Sequence, residues 1–378
     1  MSAILALLVF GGLLLAWVPG RWAVAAPQIG IFALTAAWLV RKQIRRDALY
    51  LPWPAFLLTA AAMWGPLQLF AGASVYRWQT AADTLGWLAA LCVFCLAADL
   101  GESGTTRKRL LDATIWFGCL LAVQGTVQLF TSAGEVFWLF PSGYKDLVIG
   151  PFVYQNQYAA FVELLLPLTL AAGLDRPHWR FPALLTAAFL IASVVASGSR
   201  AGTVLVCIET AAVLGIAALR GMIGPRVAMG LALASALFVA ALGPELLWRR
   251  MGESQSVMLR QELNHVSLDM LRERPDLGYG LGNWPHVYPR FARSDDGLYA
   301  NRAHNDWLEW AVEGGAPFVL VIGVLAAWSV SPAVVTLWGF GVIPFWIHCS
   351  LDYPARKPAL AMLFFFLLGL MGSRTRRG

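Results

Sequence analysis

Charge is what this chain has least of. Charged side chains make up 13% of its 378 residues, against 58% hydrophobic, and the mean hydropathy is +0.63. No soluble domain of this size is so apolar, so the soluble classes are excluded and the class is a polytopic membrane protein. Nucleic-acid binding is excluded as well. The net charge of +6 and pI of 9.2 come from basic residues that mostly flank apolar segments rather than forming a patch. Cysteine is sparse: Cys92, Cys95, Cys119, Cys207 and Cys349 all lie in or beside apolar runs. Cys92-Val-Phe-Cys95 has redox spacing but reads as a membrane-buried pair of small side chains. Internal repeats are absent, and so is a matched pair of broken helices, the symmetry many transporters show. Residues 2–18 lack a basic segment ahead of their apolar run, which predicts an uncleaved first helix rather than a signal peptide.

Apolar runs, by contrast, are plentiful. They fall at about 2–18, 21–40, 49–71, 79–98, 110–130, 157–173, 181–197, 201–219, 227–247, 314–330, 333–350 and 359–372. A span takes roughly 20 apolar residues, so the pattern predicts an all-α protein of about twelve transmembrane helices. Short links hold Arg41, Lys42, Arg45 and Arg46; Arg107, Lys108 and Arg109; Arg176 and Arg180; Arg220 and Arg226; and Arg374, Arg376 and Arg377. With twelve spans, all of these fall on one side. The positive-inside rule makes that side, and both termini, cytoplasmic. The expected organisation is transmembrane helices 1–9 over 1–247, a periplasmic loop over 248–312, and helices 10–12 over 313–378. The loop carries Arg249, Arg250, Arg260, Arg272, Arg274, Arg290, Arg293 and Arg302 but no lysine. Arginine offers a planar fork that grips phosphate in two places, where lysine is a point charge.

Four polar constellations punctuate the outer side. Ser197-Gly198-Ser199-Arg200-Ala201-Gly202 joins two runs so tightly that Arg200 is pinned at the membrane boundary. It reads either as an anion ligand at a helix start or as a snorkelling arginine. Residues 257–274 predict an amphipathic helix on the membrane surface, with Leu259, Leu263, Val266 and Met270 on one face and Pro275 ending it. Arg260 and Asn264 share the opposite face, and Arg260 is either solvated or a second anion ligand. Gly278-Tyr279-Gly280-Leu281-Gly282-Asn283-Trp284 predicts a tight turn. Its Tyr279 and Trp284 either stack on sugar rings or pack within the loop. His304-Asn305-Asp306-Trp307-Leu308 predicts a short helix opened by His304 and ended by Glu313-Gly314-Gly315. Histidine suits proton transfer from a hydroxyl, against a purely structural role. Asn156-Gln157-Tyr158-Ala159 and Asp352-Tyr353-Pro354 add polar groups at two more outer helix ends.

Taken in order, these motifs resemble the O-antigen ligase and O-antigen polymerase superfamily over roughly residues 145–360. The resemblance implies a GT-C-like fold and a metal-independent, cofactor-free glycosyltransferase in the bacterial inner membrane. It implies inverting transfer of a glycan from undecaprenyl diphosphate to an acceptor hydroxyl at the periplasmic face. The acceptor would be another glycan, lipid A core or a protein, within lipopolysaccharide or exopolysaccharide synthesis. Carried over by motif, Arg200 and Arg260 hold the diphosphate and His304 deprotonates the acceptor, with Arg302, Asn305, Asn156 and Asp352 in support. The physics is compatible: fixed guanidiniums in a dry site stabilise a leaving diphosphate where other enzymes use a metal. The rival readings are a lipid-linked oligosaccharide flippase or other transporter, for which Glu163 and Glu209 would be the intramembrane charges, and a non-catalytic scaffold.

Overall fold

The structure is a computed structural model that describes residues 1–142, 149–242, 254–293 and 300–374. Arg249, Arg250, Arg376 and Arg377 lie outside the described residues, as does the boundary expected at 247/248. The helices are α1 (Ser2–Leu14), α2 (Arg21–Arg45), α3 (Pro54–Phe70), α4 (Arg77–Gly101) and α5 (Gly104–Thr131). They continue as α6 (Gln155–Asp175), α7 (Arg180–Ser197), α8 (Arg200–Leu219), α9 (Pro225–Leu242) and α10 (Ser254–Glu273). A one-turn α11 (Trp284–Val287), α12 (Asp306–Thr336), α13 (Val342–Leu351) and α14 (Pro358–Met371) complete them. A two-residue hairpin, β1 (Glu135–Val136) and β2 (Phe140–Pro141), follows α5. Among the described residues seven helices are long and apolar enough to cross a membrane, and five shorter ones are apolar. The chain is therefore a multi-pass, helical membrane protein.

Burial follows the apolar pattern of each helix. α6 is buried around its whole girth from Asn156 to Gly173, as expected of a helix without a polar face. It packs against α5, α7, α8 and α13. At the periphery, Leu7, Ile29, Phe70, Leu120 and Leu219 are exposed. A lipid-facing surface requires such residues, because the bilayer removes the penalty that water would impose on them.

The basic links gather at one end of the bundle. Lys42 pairs with Asp99 at 2.5 Å, Arg176 pairs with Asp112 at 2.7 Å and Arg107 donates to Ser373. Arg220 donates to the last carbonyls of α12, on Val334 and Val335. The starts of α6 and α8 and the end of α13 lie at the other end.

The polar segment between α9 and α12 has a small core of its own: Leu263, Val266, Met270, Tyr279, Trp284, Val287, Ala303 and Val312. This corrects the expected placement of α10. Three of its four apolar residues pack on Trp284 and α12, so the protein, rather than the membrane surface, occupies its greasy face; Leu259 is left exposed. The glycine-rich run is pressed between α3, α4 and α12. Gln68 of α3 donates to the Leu277 and Glu313 carbonyls and accepts from the Leu281 N–H. Gly278 has φ +64°, and a Cβ there would come within 2.5 Å of the Glu313 backbone. Only glycine combines that conformation with that approach.

Candidate active site

Asp352 caps the C-terminus of α13 and is 1% exposed. A carboxylate so buried requires partners, and three other segments supply them. His304 Nδ1 lies 3.3 Å from Oδ1. Arg260 Nη2, from α10, donates to Oδ2 at 3.1 Å. Tyr154 Oη donates to Oδ2 at 3.0 Å, and Asn156 Nδ2, at the start of α6, donates to the same oxygen. The Tyr353 N–H closes a local bond to Oδ1 at 2.9 Å. Burial alone would raise the Asp352 pKa. The hydrogen bond to His304 and the charges of His304 and Arg260 outweigh it and hold the carboxyl below its usual range. Burial first, then the charge of Asp352, pushes the Tyr154 phenol upward and keeps it a donor.

Arg200 reaches this hub through its neighbour. Gly198 ends α7 with φ +73°. Ser199 then caps α8, its Oγ accepting from the Gly202 N–H at 3.2 Å. The same Oγ donates to Asn156 Oδ1 at 2.7 Å. Arg200 is the first residue of α8, one residue from a side chain that touches the Asp352 network.

His304 is not within a helix as expected. It precedes one, in the left-handed region at φ +53°. Such φ values are uncommon outside glycine and collect at functional sites. Asn305 is the N-cap of α12, its Oδ1 accepting from the Leu308 N–H at 3.1 Å, which fixes the residue after His304. The expected stop at Glu313-Gly314-Gly315 is a break at Gly315, where φ is +76° and ψ 176°. The His304 ring meets Tyr353 edge-on at 5.0 Å between centroids and Tyr154 at 6.2 Å.

Tyr279 and Trp284 are corrected as sugar platforms. They are 1% and 0% exposed, and Trp284 Nε1 donates to Ser267 at 2.9 Å. Their aromatic area is spent on the loop core, which needed large side chains to hold α10 against α12.

Sequence reasoning missed Tyr154 as a ligand of the hub, and it missed Arg356 altogether. Arg356 is enclosed by Asp83 at 3.1 Å, Glu309 at 3.2 Å, Asp306 at 3.9 Å and Glu313. Those carboxylates raise its pKa against the effect of burial. A signal existed: Asp306, Glu309 and Glu313 fall on one helical face next to a membrane, and three buried carboxylates demand a cation. Arg302 pairs with the same Glu309 at 3.2 Å, two residues from His304. Below the hub, His348 of α13 and Glu163 of α6 pair at 2.8 Å, both fully buried, and lock the helix that ends in Asp352 to the helix that starts near Asn156. Among the described residues no group of three or more potential ligands could hold a metal ion.

A cavity of about 860 Å³ adjoins the site. Tyr353 and Arg302 line it, whereas His304, Arg260 and Arg200 do not.

Residues 185–323 match the family model described as O-antigen ligase. Over that stretch, and not over the chain as a whole, the protein is similar to the O-antigen ligase family. The matched stretch includes Arg200, Arg260, Arg302 and His304, while Asn156 and Asp352 fall outside it and join the O-antigen ligase segment only through folding. No curated protein matches the chain.

Proposed function

We propose that this protein is an inverting glycosyltransferase that moves a glycan from undecaprenyl diphosphate to an acceptor hydroxyl at the periplasmic face of the bacterial inner membrane. The observation that carries this reading is the convergence of His304 and Arg260 on the Asp352 carboxylate, with Arg200 beside Ser199 at its edge. With Nδ1–H held by Asp352, Nε2 of His304 is the base that takes the acceptor proton, and Asp352 stabilises the imidazolium that forms. The acceptor oxygen attacks the anomeric carbon as the bond to the diphosphate breaks, so the configuration inverts. Negative charge grows on the leaving diphosphate, where Arg200 and Arg260 compensate it. Among the described residues Arg260 gives Nη2 to Asp352 and Tyr154 and Nη1 to the Leu351 carbonyl, and a guanidinium has five donors, so N–H groups remain for phosphate.

The orientation rests on charge. The hub lies at the end of the bundle opposite the basic links, and positive-inside bias puts those links, and with them both termini, in the cytoplasm. This reading uses twelve crossings, a GT-C-like arrangement and the 248–312 segment as the periplasmic loop.

The test is transfer by purified protein given an undecaprenyl-diphosphate-linked glycan and an acceptor in detergent. His304→Ala and Arg260→Lys, which keeps the charge but loses the fork, are each expected to slow transfer by about 10²–10³-fold. Transfer at the wild-type rate by His304→Ala refutes the mechanism. A protein that moves the lipid across vesicles but forms no glycosidic bond is a flippase.

A further inference from the structure

The cavity beside the site has two chemically different parts. Its deeper wall is apolar and aromatic, made by Val24 and Ala25 of α2, Leu85 and Trp87 of α4, and Met362 and Phe365 of α14. Leu85 is exposed and Trp87 partly so, hence this wall faces the lipid phase between helices. Its charged lining is Arg21, Arg302, Arg356 and Lys357, together with Asp83, which Arg356 engages at 3.1 Å.

Lys357 is the informative residue. It is the N-cap of α14, and no side chain caps that helix. Pro358, the first residue of α14, has no N–H to offer, so at this end of the cavity the positive charge comes from side chains, Lys357 first. Among the described residues no carboxylate lies within ion-pairing distance of the Lys357 ammonium, whereas the acids nearby are engaged by Arg356 and Arg302. Burial, and then the charge of Arg302, pushes the Lys357 pKa down, so the ammonium is held in a place that favours a counter-anion. Arg21 stacks on Trp78 at 4.6 Å and adds a second cation at the mouth.

We propose that this cavity is a site for a bilayer phospholipid with an anionic head, its phosphate held by Lys357 and Arg21, and an acyl chain lying along the Trp87–Phe365 wall. Three observations favour a resident lipid over the glycan carrier. None of the residues assigned to the diphosphate lines the cavity. Arg302 and Arg356 of its lining are already engaged by Glu309, Glu313 and Asp83, which leaves a lysine point charge and a stacked arginine, a weaker match to a diphosphate than two opposed guanidinium forks. Most of its wall is built by α2, α4 and α14, outside residues 185–323. The site goes beyond the transfer reaction and stands whether or not that reading holds.

Native mass spectrometry of the full chain, released from an uncharged detergent after incubation with phosphatidylglycerol or with phosphatidylcholine of the same chains, tests it. Wild type is expected to retain phosphatidylglycerol preferentially. Lys357→Gln is expected to lose about fivefold of that retention with phosphatidylcholine unchanged, and Lys357→Arg is expected to keep it. Ala25→Trp, which fills the apolar wall and leaves the cations in place, is expected to lose it too. Equal retention by wild type and Lys357→Gln overturns the proposal, as does a loss that is the same for both lipids. Undecaprenyl diphosphate is the competing arm: if it displaces phosphatidylglycerol one for one, the cavity belongs to the carrier and the proposal falls. Failure of the transfer reading shows separately, as wild-type catalysis by His304→Ala with lipid retention intact.

Discussion

At Asp352 a single carboxylate organises groups from positions 154, 156, 260 and 304. Its role can be separated from its bulk. Asp352→Asn keeps the shape but accepts on one oxygen only, and its amide favours the wrong tautomer of His304. Transfer is expected to fall by about 10²–10⁴-fold. The acid is held below the usual carboxylate range. A depressed folded pKa gives stability that is present above the unfolded value of about 3.9 and is lost only as pH falls through the folded one. Asp352 is thus ionised throughout ordinary assay conditions. Transfer at the wild-type rate by Asp352→Asn would show that the carboxylate does not act as described.

Among the elements, α12 does the most positioning. Its first turns carry Asp306, Glu309 and Glu313 toward Arg356, its N-cap follows His304, and its break at Gly315 turns the membrane part of the helix away from the loop. Gly315 has φ +76°, and a Cβ there would collide with the Pro275 and Asp276 carbonyls. Gly315→Ala is expected to cost about 1–3 kcal/mol, measured as a lowered denaturation midpoint in detergent. The tilt of residues 306–314 changes with it, so transfer is expected to fall more than stability does. An alanine variant with both unchanged would mean the break is not needed.

For the molecule as a whole, Arg356 joins parts that are far apart in sequence. It ties Asp83 of α4 to Glu309 and Glu313 of α12, and the loop core sits directly above through Trp284, whose backbone N–H donates to Glu313 Oε1 at 3.2 Å. Removing one partner of a buried ion cluster leaves charges uncompensated at roughly 3–5 kcal/mol. Arg356→Met is expected to lower the melting temperature markedly and to reduce membrane-inserted yield. Replacing Arg293, an exposed arginine paired with Asp269 at 2.5 Å, is expected to do almost nothing, because solvent screens such pairs. Similar effects of the two would argue that the cluster is not a keystone.

Much of this was legible along the chain. Long apolar runs set the helices, and their small-residue links set the caps at Ser199 and the turns at Gly198 and Gly315, because those choices depend on local backbone energetics and on the cost of exposing peptide groups to lipid. The basic links, too, foretold which helix ends lie together. What no stretch of sequence contained was the destination of each polar side chain. Tyr279 and Trp284 look like surface aromatics until α10 closes over them, and Arg356 looks like an ordinary interfacial residue until three carboxylates of α12 arrive. Packing of α6, α8 and α13 against one another, and of α10 against α12, decides that Asp352 receives Arg260 and His304, since a buried charge can be satisfied only by whatever the tertiary fold brings within hydrogen-bond reach.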